Sequence, residues 1–98
     1  MIQRIVKLAI DPHTDAGDEF RAIFERSKEK IAQQPGCAGV RLLQSERHFF
    51  TYSLWRSEAD LNAYRESALF GSVWPETKAL FYNKPEAWTC QLIDGSAE

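Results

Sequence analysis

The chain alternates between two hydrophobic rhythms. Ile2 to Ile10 has a period of two, with Ile2, Arg4, Val6, Leu8 and Ile10 on one face and Gln3, Ile5, Lys7 and Ala9 on the other, which predicts a strand. Asp11-Pro12 closes it, because proline has no N–H for a ladder and its fixed φ suits a turn. From Asp15 or Gly17 to Gln34 the period lengthens. Phe20, Ile23, Phe24, Ser27 and Ile31 recur at helical spacing and charged residues fill the rest of the surface, as in an amphipathic helix that lays one stripe on a sheet. Thr14 or Asp15 can cap its start, and Pro35-Gly36 stops it.

The second half repeats the change of rhythm. Cys37 to Gln44 reads as a strand carrying Val40, Leu42 and Leu43; Ser45-Glu46-Arg47 makes a short hairpin connection, and His48 to Arg56 is the third strand. There Phe49 and Trp55 project to one face, and Phe50, Tyr52 and Leu54 to the other. A sheet with helices on one side only normally alternates toward water, so this doubly apolar strand predicts that the second face also meets something. Ser57 opens a short helix with Leu61 and Tyr64 on one side and Asp60 at the capping-box position. Ser67 to Gly71 interrupts it. Proline fits a helix best in the first turn, so Pro75 places the start of the next helix at Gly71 or Ser72, with Phe70, Val73, Trp74, Thr77, Leu80 and Phe81 at helical spacing up to about Tyr82. Asn83-Lys84-Pro85 ends it, and Ala87 to Ile93 is a last strand with Trp88, Cys90 and Leu92. The order is βαββαβ, the split βαβ arrangement, in a single α+β domain spanning 1–94 with a frayed tail at 95–98. In that topology the second and fourth strands are opposite edges of a four-stranded antiparallel sheet, roughly three spacings of ~4.8 Å apart, so Cys37 and Cys90 cannot bridge within one chain.

Composition narrows the function classes. A chain of 98 residues can bury a core without disulfides or metal. Its net charge of -2 and its interspersed acids and bases provide no basic stripe for nucleic acid. No apolar run approaches the ~20 residues of a membrane span, and MIQRIVKLAI lacks a signal-peptide cleavage region, so the chain reads as cytoplasmic. Its 2 cysteines sit in no metal or redox spacing and read as buried thiols. His13, in a turn, and His48, at a strand start, have no second ligand at metal spacing beside them.

What remains is aromatic and cationic. Phe49 to Trp74, FFTYSLWRSEADLNAYRESALFGSVW, carries Phe50, Tyr52, Trp55, Tyr64, Phe70 and Trp74. With Lys7 and Arg4 of the first strand, these residues can line a space between sheet and helices suited to a flat, electron-rich ring. The competing reading is core packing, which Trp55 and Trp74 fit equally well. Tyr52 and Tyr64 are better candidates, since a buried phenol needs a partner for its hydroxyl. Lys7 can simply snorkel to an edge.

Taken together, IVKLAI, the helix ending in PGC, FFTYSLWRSEADLNAYRESALF and the following Trp74, Thr77, Leu80 and Phe81 resemble the antibiotic biosynthesis monooxygenase family of dimeric α/β barrels. The resemblance implies a ferredoxin-like protomer whose sheet packs on that of a second copy, with a pocket between sheet and helices in each. It implies oxidation of phenolic, anthrone or quinol rings by molecular oxygen, without metal, flavin or other prosthetic group. Under this reading Tyr64, Tyr52 and Lys7 are the catalytic candidates, and Arg4, Phe50, Trp55, Phe70 and Trp74 bind the ring. The haem-degrading branch of the superfamily uses an Asn, a Trp and a His; the Trp falls on Tyr64, the His on Trp74, and the Asn at or near Lys7. None is retained, so haem cleavage is disfavoured for want of an axial ligand. The rival expectations are a non-catalytic small-molecule-binding or stress-associated dimer of the same fold, and a structural dimer with a filled interior.

Overall fold

The computed structural model describes residues 1–95. Its elements are β1 (Ile2–Leu8), α1 (Asp15–Ala32), β2 (Cys37–Gln44), β3 (Phe49–Trp55), α2 (Glu58–Arg65), α3 (Ala68–Lys78) and β4 (Glu86–Gln91). The strands form one antiparallel 4-stranded sheet in the order β2-β3-β1-β4, the ferredoxin-like α+β topology that the rhythm predicts. Residues 96–98 of the predicted tail lie outside the described residues.

Strand alternation divides the sheet into two unlike faces. Leu8 and Phe49 are register partners on the helix-covered face, where they join Ile10 and Phe20 in the core. Phe20 meets Phe49 at a centroid distance of 4.9 Å, and the Arg21 guanidinium lies 5.2 Å from the centre of the same Phe49 ring. Ile10 and Trp55 are each 0 % exposed. The second face carries Ile5 between its register partners Tyr52 and Trp88, and Lys7 between Phe50 and Glu86. No helix covers it. Leu43 is 52 % and Trp88 46 % exposed, and every residue of β4 is exposed.

Each helix begins where a side-chain oxygen takes up a free N–H. Thr14 Oγ1 accepts from Gly17 N–H at 3.4 Å, Ser57 Oγ from Asp60 N–H at 3.2 Å, and Ser67 Oγ from Phe70 N–H at 3.2 Å. The Ser67 cap corrects the expected start of α3. Pro75 lies inside the helix rather than in its first turn. The proline removes one rung, whose acceptor would be the Gly71 carbonyl, but Gly71 and Pro75 are both exposed and water can satisfy that oxygen. The helix also ends earlier than its spacing suggests, at Lys78, with Ala79 as the C-cap. Leu80 and Phe81 then pack on the core from the turn that follows.

The Pro35-Gly36 turn is tied to the start of α2. Gly36 has φ 80°, a left-handed conformation that suits glycine, and a Cβ there would run into the Asp60 carboxylate. Its carbonyl accepts from Arg56 N–H at 2.7 Å. Asp60 accepts in turn from Arg56 Nε and Ser57 Oγ, both at 3.0 Å, and the Arg56 guanidinium holds its carboxyl below the usual carboxylate range. Both cysteines are free. They lie on opposite edge strands as the topology requires, but the buried-thiol expectation fails: Cys37 is only partly buried and Cys90 is exposed on an edge strand all of whose residues are exposed.

Candidate functional site

A cavity of about 350 Å³ opens between the helix-facing side of the sheet and the three helices. That volume lies at the small end of ligand sites. β1 contributes Arg4, Val6 and Leu8; β3 contributes Thr51 and Ser53; α1 lines the opposite side with Ile23, Phe24 and Ser27. The remaining wall comes from Tyr64 and Arg65 of α2 and from Phe70, Trp74 and Thr77 of α3. Exposed Arg65, Pro85 and Ala87 mark the mouth.

The aromatic wall is continuous. Tyr64 stacks on Trp55 at 5.1 Å and 22°, Phe70 meets the edge of Tyr64 at 5.3 Å and 81°, Trp74 stacks on Phe70 at 5.6 Å and 14°, and Phe81 closes the series at 5.6 Å and 71°. These are the offset-stacked and edge-to-face geometries that ring quadrupoles favour. The order follows from local sequence. The Ser57 cap fixes α2 so that Leu61 is buried and Tyr64, one turn on, faces the same way; Ser67 Oγ donates to the Tyr64 carbonyl at 2.6 Å and begins α3, which carries Phe70 and Trp74 at i and i+4.

The polar groups are few. Arg4 Nη1 donates to Thr89 Oγ1 of its register partner at 2.7 Å, which holds the guanidinium along the sheet. Burial lowers the Arg4 pKa, and the neighbouring Arg65 charge lowers it further. Burial pushes the Tyr64 phenol up to about 12, with a smaller contribution from Cys37, so Tyr64 is a neutral hydrogen-bond donor across the physiological range. Among the described residues, no Asp, Glu or His lines the cavity. Among the described residues, no group of three or more His, Cys, Asp or Glu side chains is placed to hold a metal ion.

The candidates from sequence therefore separate. Arg4, Tyr64, Phe70 and Trp74 come together around the cavity. Trp55 lies behind it, buried beneath Tyr64, with its indole N–H donating to Ser53 Oγ at 2.9 Å. Lys7, Phe50 and Tyr52 do not join them. In β1 and β3 they alternate with Val6, Leu8, Thr51 and Phe49, so they project from the opposite face, where Lys7 Nζ lies 3.9 Å from Glu86. The expectation that they share one space with Arg4 and Tyr64 is corrected on that ground. The sequence reading also passed over Arg65, Thr51, Ser53 and Thr89. The period of two that places Arg4 inward identifies the last three as its neighbours, whereas Arg65 had no signal beyond its adjacency to Tyr64.

The class that this fold and site define is a ferredoxin-like α+β domain with an aromatic-walled cavity between sheet and helices. The chain belongs to the antibiotic biosynthesis monooxygenase family, whose model matches residues 3–73. Rv0793 from Mycobacterium tuberculosis superposes with a TM-score of 0.86 at 17% identity, covering 98% of each chain. A variant of SnoaB, a cofactor-independent oxygenase from Streptomyces nogalater, gives 0.82 at 17% identity over 99% of this chain and 97% of its own. A protein from Bordetella bronchiseptica described as a putative antibiotic biosynthesis monooxygenase gives 0.79 at 22% identity, over 94% of this chain and 96% of its own. At these identities the likeness is one of fold. No curated protein matches the sequence significantly. Among the described residues, no helix is long and apolar enough to cross a membrane.

Proposed function

We propose that this protein is a homodimeric, cofactor-independent monooxygenase that oxidises a small quinol, phenol or anthrone-like ring inside the cavity. The observation that carries the reading is the cavity itself: an aromatic wall with Tyr64 as neutral donor and Arg4 as half-buried cation. Family membership and the fold shared with the cofactor-independent oxygenase SnoaB support it.

The chemistry needs no external reductant. The ring loses two hydrogens and gains one oxygen atom from O2, and the other oxygen atom leaves with those hydrogens as water. The substrate supplies the electrons, so the protein has to favour its oxyanion and keep water away. Arg4 stabilises that oxyanion electrostatically. Tyr64 donates a hydrogen bond to the same ring oxygen, and Phe70 and Trp74 hold the ring plane.

The second reading is a ligand-binding protein without turnover. It is favoured by the lack, among the described residues, of any carboxylate or imidazole in the cavity wall to act as base. Oxygen uptake with a panel of quinols and anthrones separates the two. Consumption above the uncatalysed rate, lowered at least tenfold in Tyr64→Phe or Arg4→Gln, supports the oxygenase. A ligand-induced rise in melting temperature without consumption leaves only the binding role.

Dimerisation is proposed through the uncovered sheet face, where Ile5, Tyr52, Leu54 and Trp88 make an apolar surface. Pairing there would enclose two sheets between outer layers of helices and give the barrel that the family resemblance implies.

A further inference from the structure

The oxygenase reading uses one positive charge, and the cavity holds two. Arg4 and Arg65 both line it, one from the centre of the sheet and one from the end of α2 at the mouth. Five cations outside it lie beside carboxylates, Lys7 with Glu86, Arg21 with Asp18, Arg26 with Glu76, Lys28 with Glu25 and Arg56 with Asp60, and the other five, Lys30, Arg41, Arg47, Lys78 and Lys84, are exposed to water and line no part of the cavity. Neither cavity guanidinium has such a carboxylate among the described residues, and the only side-chain partner of Arg4 there is the uncharged Thr89 hydroxyl. The two feel one another, since the Arg65 charge disfavours ionisation of Arg4. A half-buried charge at Arg4 and a water-exposed one at Arg65, both lining one cavity, make its mouth end positive and favour an anionic group between them.

We propose that Arg4 and Arg65 together form a subsite for a second anionic group, and that the natural ligand is an aromatic hydroxy acid with its carboxylate on the ring carbon next to the hydroxyl. This rests on the reading that Arg4 meets the ring oxygen. In a ring so substituted, the phenolic oxygen lies at Arg4 in the interior and the carboxylate reaches outward to Arg65. A carboxylate and a guanidinium can then pair through two parallel hydrogen bonds. The aromatic wall accepts the ring, and the charged edge stays beside the exposed mouth, where desolvation of the carboxylate is least costly.

Binding of 3-hydroxy-2-naphthoate and of 2-naphthol, measured by isothermal titration on the intact protein, tests the subsite. The expected result is at least a fivefold advantage for the hydroxynaphthoate, the scale of one partly exposed charge pair. That advantage falls as salt is raised. Arg65→Gln abolishes the advantage and leaves 2-naphthol affinity within twofold, whereas Arg4→Gln weakens both ligands. Arg65 is exposed at a helix end, so its variant is expected to fold. Equal binding of the two ligands, an advantage that survives Arg65→Gln, or no binding of either overturns the proposal. Oxygen uptake is scored separately. A carboxylate advantage without uptake defeats the oxygenase reading and leaves the subsite standing, while uptake with neutral anthrones and no advantage defeats only the subsite.

Discussion

Trp55 and Tyr64 lie nearly face to face, with ring centroids 5.1 Å apart and planes 22° from parallel, so the cavity's tyrosine rests on a fully buried indole. The position of Tyr64 is thus set by the core as well as by its own helix. Replacing Trp55 by Ala deletes that support and leaves a void. We expect a loss of about 3–5 kcal/mol, measured by urea denaturation, as for other buried aromatics. A loss below about 1 kcal/mol would show that Tyr64 is held by α2 alone.

Alkaline pH reports on the same residue. The Tyr64 phenol is raised from its ordinary 10.0 to about 12 in the folded protein. Between those values the folded state keeps a proton that the unfolded chain has released, so stability present below pH 10 declines as pH rises toward 12. Tyr64→Phe removes this contribution. Its stability should therefore fall less steeply than that of the wild type over the interval, in denaturation midpoints followed against pH, and parallel curves would count against burial of the phenol.

Two glycines should respond oppositely to the same substitution. At Gly36, with φ 80° and the Asp60 carboxylate where a Cβ would sit, alanine is expected to cost roughly 1–2 kcal/mol for the left-handed backbone alone. At Gly71, inside α3 with nothing within 4 Å of the added carbon, alanine should stabilise by about 0.5–1 kcal/mol. Thermal melts of both variants check the contrast, which reverses if the Pro35-Gly36 turn readily gives way.

The proposed dimer predicts a mass of twice 11.3 kDa by light scattering. Ile5→Lys puts a charge at the middle of the uncovered face, between Tyr52 and Trp88, and should shift the protein toward a mass of 11.3 kDa. A wild-type monomer at micromolar concentration would remove the proposal, and a fully dimeric variant would move the interface elsewhere.

The fold was legible because its signals are local and redundant. Phe20, Ile23, Ser27 and Ile31 share one helical stripe, and all four are buried. Thr14 and Ser57 cap the helices where they precede them in sequence. The start of α3 was less legible, because the Ser67 cap and Pro75 point to different beginnings and an exposed missing rung is tolerable. The site was half legible. Arg4, Tyr64, Phe70 and Trp74 meet in space, but Lys7 and Tyr52 were grouped with them by type, although strand parity sends them to the other face. Arg65 gave no signal because a helix-end arginine followed by Glu66 looks like ordinary surface, and only its place in the cavity lining with Arg4 singles it out.

Pro75 has a consequence for motion. It leaves α3 short of one rung at Gly71, and the rings of Phe70 and Trp74, stacked at 5.6 Å in the cavity wall, belong to the turns that meet there. Helices bend where a rung is missing. Flexing at that point would part the wall and let a flat molecule pass without any loop having to open. Pro75→Ala restores the rung. If the helix is the gate, ligand dissociation in stopped-flow displacement slows several-fold in this variant while affinity is nearly kept, and an unchanged off-rate would place the exit at the Arg65 mouth.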